Sequence, residues 1–441
     1  MIQSLLIANR GEIALRIIRT CREMGIRTVV AHSQADTDSL PVRFADEHVC
    51  VGPPPARESY LNIRNLVTAG VLSGCDALHP GVGFLAENAG FARDVKEAGL
   101  IFVGPDPEVI ELLGDKIRAK HSAKDLGIPV IPGSSGSVGN AEEAVRAANA
   151  IGYPVIVKAA AGGGGKGMRI VHSGSQLADV LAIASQEAEK AFSDGTVYLE
   201  KYLENPRHVE IQIVADRKGS VVHLGERDCT VQQNHQKLIE ESPSPVVTPA
   251  LRTKMGEDAV RLLRGLGYTG AGTVEFLVKD GKHYFMEVNA RVQVEHPVSE
   301  MVTGIDIIRQ QLLAASDESL EIAQDQVRLG AHAMECRINA RSAGRVTQFM
   351  SPGGFGVRMD TFLYAGYHVP PWYDHLVAKL IVTGQNRAEG VRRMERALSE
   401  LVIEGIATNI ESQKKILAHP RFRSGDYGTG FLGEVLKEGA L

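Results

Sequence analysis

Thr273 to His296 reads T-V-E-F-L-V-K-D-G-K-H-Y-F-M-E-V-N-A-R-V-Q-V-E-H, and the rest of the chain is organised around it. Two apolar runs flank Lys279-Asp280-Gly281-Lys282, and Asp-Gly between such runs signals a tight hairpin turn. Side chains alternate along a strand. Thr273, Glu275 and Leu277 are therefore expected on one face of the first strand, and Phe285, Glu287 and Asn289 on one face of the second. Two carboxylates and an amide oxygen then converge. Like charges that close are costly unless a cation lies between them, and hard oxygen donors suit Mg²⁺ or Mn²⁺. Arg291, Gln293 and Glu295 continue the alternation with a cation, an amide and a further acid. A solvated hairpin face accounts for any one of these acids; the whole set reads as a metal and anion site.

The chain has 441 residues, 44% of them apolar and 23% charged, with a net charge of −5. That length exceeds one ordinary core, so two or three domains are expected. No basic excess points to nucleic acid or to an anionic membrane surface. The apolar run Leu5 to Ile7 is too short for a signal peptide or a spanning helix. Cys21, Cys50, Cys75, Cys229 and Cys336 form no C-x-x-C pair, which fits reduced thiols and a cytoplasmic protein.

From the N-terminus, strand-like runs (Ser4–Ala8, Arg27–Ala31, His48–Val51, Asp76–His79, Ile101–Gly104) alternate with helical patterns (Gly11–Met24, Leu61–Leu72, Ala89–Ala98). Such βαβ alternation predicts a parallel sheet wound with helices. Arg16, Arg19 and Glu23 recur at helical spacing, as on a solvated face or a subunit contact. The Pro- and Gly-rich stretch Ile128–Gly139 marks a loop or hinge after Lys116. Strand Pro154–Ala160 carries Lys158 and runs into Gly162-Gly163-Gly164-Gly165-Lys166-Gly167-Met168. Glycines let backbone N–H groups approach an anion, but no Gly-Lys-Ser/Thr occurs, so this is not a P-loop. A glycine hairpin folding over phosphates and a plain hairpin tip both fit. Gln232 to Lys237 is densely polar and reads by composition as a surface loop.

The chain resembles the biotin carboxylase family of ATP-grasp enzymes along essentially its whole length. The resemblance rests on I-A-N-R-G-E-I-A from Ile7, H-P-G-V-G-F-L-A-E-N from His79 and G-G-G-G-K-G-M from Gly162. It continues in E-K-Y-L-E-N-P-R-H-V-E-I-Q from Glu200, H-Q-K from His235, E-V-N-A-R-V-Q-V-E-H-P from Glu287, E-C-R-I-N-A from Glu335 and P-G-G-F-G-V-R from Pro352.

It implies an α/β fold with an N-terminal parallel βαβ domain (1–113), a central ATP-grasp domain (114–322) and a C-terminal mixed α/β domain (323–441). The central domain would carry a mobile glycine-rich lid over about 130–203. The implied activity is ATP- and bicarbonate-dependent carboxylation of biotin on a separate carrier protein, since no A-M-K-M-like attachment motif is present. This would be the first half-reaction of acetyl-CoA carboxylase or a related acyl-CoA carboxylase, supplying malonyl-CoA for fatty acid synthesis. Implied partners are the biotin carboxyl carrier protein, carboxyltransferase subunits and a second copy of the chain, with no nucleic acid and no membrane.

The resemblance also assigns residues. Lys116, Lys158 and Gly163, Gly164 and Gly165 would hold ATP phosphates, with Met168 beside the base. Glu200, Lys201 and Leu203 would form the adenine hinge, joined by Leu277; His208, Gln232 and His235 would lie around ribose and phosphates. Glu275, Glu287 and Asn289 would hold two Mg²⁺ or Mn²⁺ ions. Lys237, Arg291, Gln293 and the Val294 backbone would form the bicarbonate pocket. Glu295 would be the base, and Arg337 would stabilise the biotin enolate. Three places depart from the family pattern: Val82 where tyrosine is usual, Gln233-Asn234 where two arginines are usual, and a short segment after Ala340. Two other readings stay open, an ATP-grasp ligase for a different carboxylate and a non-catalytic nucleotide-binding subunit.

Overall fold

The computed structural model describes residues 1–134, 136–160, 168–234 and 236–437. The first unit is built on a parallel sheet of β1 (Ser4–Ile7), β2 (Arg27–Ser33), β3 (Glu47–Gly52), β4 (Ala77–His79) and β5 (Ile101–Phe102), in the order β3-β2-β1-β4-β5. β1 is buried along its whole length, as a strand covered by helices on both faces must be. The first helix, Gly11–Glu23, packs Ile13, Ile17, Ile18 and Cys21 against that sheet.

A small antiparallel sheet of β6 (Val155–Ala159), β7 (Arg169–Val171) and β8 (Val197–Lys201) comes next, in the order β7-β6-β8. The helices Ala141–Ile151 and Leu177–Phe192 cover it with Ala144, Ala148, Leu177 and Ala184.

The largest element is an eight-stranded antiparallel sheet. Its first six strands in chain order are β9 (Arg207–Ala215), β10 (Val221–Gln233), β11 (Gln236–Ser242), β12 (Gly270–Lys279), β13 (Lys282–Asn289) and β14 (His332–Asn339). After the short β15 (Gly344–Arg345) and β16 (Gln348–Met350) come β17 (Val357–Thr361), β18 (His368–Val369) and β19 (Leu376–Gly384). The order is β13-β12-β9-β10-β11-β14-β19-β17. The C-terminal strands thus extend the central sheet rather than form one apart from it. Helix Arg387–Glu400 then packs Val391, Met394 and Leu398 into the C-terminal core. Among the described residues, no helix is long and apolar enough to cross a membrane.

Three expectations change. The hairpin closes at Asp280 (φ 50°) and Gly281 (φ 70°), the paired left-handed residues of a type I′ turn. Yet Phe285 does not share a face with Glu287. The register passes from Glu275↔Glu287 to Phe276↔Phe285, so Met286 is an extra residue, and such a bulge re-aims the side chains on either side of it. Phe285 therefore enters the core. The polar segment from Gln232 is not a surface loop but the closed end of the β10–β11 hairpin, where Gln232 pairs with Lys237 and Gln233 with Gln236. Finally, Arg16 is buried and ion-paired to Glu300 and Asp306, both at 2.8 Å, so it leaves the exposed face of the first helix to Arg19 and Glu23.

Candidate active site

β9, β10, β11, β12 and β13 turn their polar side chains toward one cavity of about 1420 Å³ between the large sheet, the small sheet and the first unit. Every described candidate residue lines it. Gly163, Gly164, Gly165 and His235 lie outside the described residues.

At the end nearest the small sheet, alternation on β6 and β8 brings Lys158 and Glu200 together. Lys158 Nζ lies 2.6 Å from one oxygen of Glu200, and Lys120 Nζ lies 2.8 Å from the other. Burial alone would push this carboxyl up, but the two ammoniums hold it below its ordinary value. The ammonium of Lys201 donates to the carbonyls of Gly152 and Tyr153 at 2.9 and 2.8 Å. What Lys201 presents to the cavity is therefore its backbone. Met168, Leu203 and Leu277 supply apolar wall nearby.

In the middle, Glu275 and Glu287 face each other across β12 and β13. Lys116, first residue of helix Lys116–Asp125, lies 3.2 Å from Glu287 Oε2. Glu275 accepts from Lys237, Asn289 and Gln293 on Oε1 and lies 3.0 Å from His208 Nε2 on Oε2. Burial resists charge on His208, but the Glu275 carboxylate outweighs it and raises the imidazole above its usual value. Gln232 Nε2 lies 3.0 Å from the other ring nitrogen of His208. Asn289 shows its amide N–H to Glu275 and its oxygen to Arg291 at 3.1 Å. The donor set of Glu275, Glu287 and Asn289 is hard oxygen throughout, and a divalent ion would take over the neutralisation that Lys116, Lys237 and His208 supply here. These residues fit a divalent cation.

At the far end, Lys237 is held by three carboxylates: Glu210 at 2.6 Å, Glu295 at 2.7 Å and Glu275 at 3.0 Å. Burial opposes its charge, yet the acids raise its pKa well above normal. Arg337 bridges Glu240 at 2.6 Å and the second oxygen of Glu295 at 3.0 Å. Glu295 is thereby kept ionised, well below its ordinary value despite burial, chiefly by Lys237 and then Arg337. Arg291 donates to Glu87 at 2.8 Å, and Glu87 also accepts from the Ala290 amide.

Several of these partners carried no assignment from sequence. Arg227 has no exposed side-chain surface and donates to Glu210, Gln212, Ser299, Thr273 and Gln293. Glu210 shares strand parity with His208, a signal that was available. Glu87 stands inside the His79 motif. Arg227 gave no signal, because its five partners come from four separate parts of the chain. Val82, the departure from the family pattern, contributes its carbonyl to Asn9 at 2.8 Å and lines the cavity.

A cavity walled by the large sheet, the small sheet and the first unit, with a lysine–glutamate pair at one end, opposed carboxylates at its centre and a gripped glutamate at the other, describes an ATP-dependent ligase. Family models agree along the chain: the biotin carboxylase N-terminal domain matches residues 1–110, the ATP-binding domain of the carbamoyl-phosphate synthase L chain 115–323, and the biotin carboxylase C-terminal domain 326–434. Biotin carboxylase 1 of Bacillus subtilis (strain 168) is 51% identical over 98% of both chains. The crystal structure of a biotin carboxylase–β,γ-ATP complex from Campylobacter jejuni superposes with a TM-score of 0.96 at 44% identity, covering 98% of this chain and 99% of that one. The biotin carboxylase domain dimer of Hydrogenobacter thermophilus 2-oxoglutarate carboxylase, in complex with MgADP, ADP and bicarbonate, superposes at 0.94 with 44% identity, covering 99% and 98%. The chain belongs to the biotin carboxylase family.

Proposed function

We propose that this protein carboxylates biotin borne on a separate carrier protein, using ATP and bicarbonate through carboxyphosphate. The observation that carries this reading is the grip on Glu295: Lys237 on one oxygen and Arg337 on the other. An anion entering beside Lys237, Arg291, Gln293 and the Val294 backbone would compete with Glu295 for the Lys237 ammonium. Loosening that grip raises the basicity of Glu295, which then takes the proton of bicarbonate. The deprotonated bicarbonate attacks the γ-phosphorus and ADP leaves, giving carboxyphosphate. Breakdown of carboxyphosphate yields CO₂ and phosphate, and the phosphate accepts the N1 proton of biotin. Arg337, freed once Glu295 is protonated, is aimed to stabilise the enolate charge that develops, and N1 of the enolate attacks CO₂ to form carboxybiotin. Lys116, Lys158 and His208 would neutralise the nucleotide phosphates. Glu275, Glu287 and Asn289 would hold Mg²⁺ or Mn²⁺, two ions in all, which supplies charge neutralisation between phosphates.

We further propose a cytoplasmic homodimer that passes its carboxyl group through a carrier protein to a carboxyltransferase acting on acetyl-CoA or a related acyl-CoA, for fatty acid synthesis. A second acceptor class, a 2-oxoacid, is favoured by the similarity to the 2-oxoglutarate carboxylase domain.

The test is ADP release from Mg-ATP and free biotin, with and without bicarbonate, for the native chain and for Glu295→Ala. Release that requires bicarbonate and biotin and collapses in the variant supports the reading. Release supported by other small acids in place of bicarbonate would overturn it, and ATP binding with no bicarbonate-dependent release would favour a nucleotide-binding subunit.

A further inference from the structure

Arg291 to Glu295 is irregular backbone between β13 and the helix His296–Thr303, so nothing in a ladder holds its peptide planes. Two side chains behind the cavity do. His296 Nδ1 lies 2.7 Å from the carbonyl of Gln293. Lys379 Nζ donates to the carbonyl of Val294 at 2.9 Å. A trans peptide sets its C=O and N–H on opposite sides. Fixing the Gln293 carbonyl therefore directs the Val294 amide, and fixing the Val294 carbonyl directs the Glu295 amide and the start of that residue.

Lys379 is fully buried on β19, directly opposite Arg337 on β14 and Asp360 on β17. Its ammonium lies 2.8 Å from Glu12 in the first turn of the N-terminal helix, and 4.0 Å from Asp360, which is itself clamped by Arg358. Burial opposes the charge, and Glu12 and other nearby acids outweigh it. One ammonium thus joins the first helix, the C-terminal strands and the anion loop of the central unit.

We propose that Lys379 is a positioning residue for bicarbonate: its ammonium, tethered by Glu12, fixes the Val294–Glu295 peptide so that the anion donors and the base keep their mutual geometry. This rests on the biotin carboxylase reading of the site. Lys379 does not itself line the cavity, although its partner Glu12 does, so it acts on the anion through the loop it holds.

The test uses the full chain and monitors ADP release with bicarbonate and ATP varied separately. Glu12→Gln with Lys379→Met removes both charges at nearly constant volume and deletes the donor to Val294. The half-saturating bicarbonate concentration is expected to rise about tenfold or more, with that for ATP within about twofold. Glu12→Gln alone, which keeps the donor but loosens its tether, is expected to give a smaller selective rise. An unchanged bicarbonate requirement in the double variant, or a parallel rise for ATP, overturns the proposal. If the double variant does not fold, the single variant decides: a selective rise supports the proposal and an unchanged value overturns it. Loss of bicarbonate dependence in the native chain would instead defeat the underlying reading of the site.

Discussion

The Lys237 ammonium lies 2.7 Å from one oxygen of Glu295, in a pocket that exposes only 2% of the glutamate side chain. A carboxylate held that way is a weak base. The same ammonium also neutralises Glu210 and Glu275, so its removal changes both basicity and charge balance.

Lys237→Met is expected to lower bicarbonate-dependent ADP release on the order of a hundredfold or more, as loss of one aimed charge donor typically does. Binding of an ATP analogue, read by fluorescence titration, should stay within a few-fold, because Lys158 and Glu200 lie at the other end of the cavity. Native turnover in this variant would remove Lys237 from the anion site.

Arg227→Met should destabilise the fold by roughly 3–5 kcal/mol in chemical denaturation, the usual cost of removing one member of a buried ion pair. Glu210, at 2.7 Å, is the other member and keeps Lys237. Arg227→Lys should restore little, since a single ammonium cannot satisfy the five acceptors that the planar guanidinium reaches. A fully stable lysine variant would contradict this.

Glu287→Gln should raise the Mg²⁺ concentration needed for half-maximal ADP release about tenfold or more; loss of even a supporting contact at a metal site costs that much. Thermal unfolding should barely change, because Glu287 is a third exposed and its ion pair with Lys116 is 3.2 Å long. An unaltered Mg²⁺ requirement would place the cation elsewhere.

His79 supplies a pH dependence of stability. It is fully buried, its Nδ1 accepts the Gly81 amide at 3.0 Å, and burial holds its pKa at about 4 against an ordinary 6.5. Between pH 6.5 and 4 the unfolded chain takes up a proton that the folded chain refuses. Stability therefore falls as pH drops through that window, by at most about 3 kcal/mol from this group. His79→Gln should flatten the fall in urea midpoint between pH 7 and 4.5; an identical slope would assign it to other groups.

Much of this protein is set by local pattern. The parallel unit was legible because its strands and helices alternate at their own periods, and the Asp-Gly hairpin because its turn needs two left-handed residues. Glu275, Glu287 and Asn289 lie close in sequence, so their convergence needed only one turn and strand parity, and the roles proposed for the remaining candidates rest on the family motifs. Tertiary structure decided what local pattern does not contain. The bulge at Met286 sends Phe285 into the core, a choice made by packing against Phe276 rather than by alternation. Glu210, Arg227 and Lys379 meet the site only because β9, β10 and β19 take particular places in one eight-stranded sheet. Sequence dictates which residues can carry charge in the interior. Register between strands far apart in the chain settles which charges neutralise one another, and hence how strongly Glu295 holds or releases a proton.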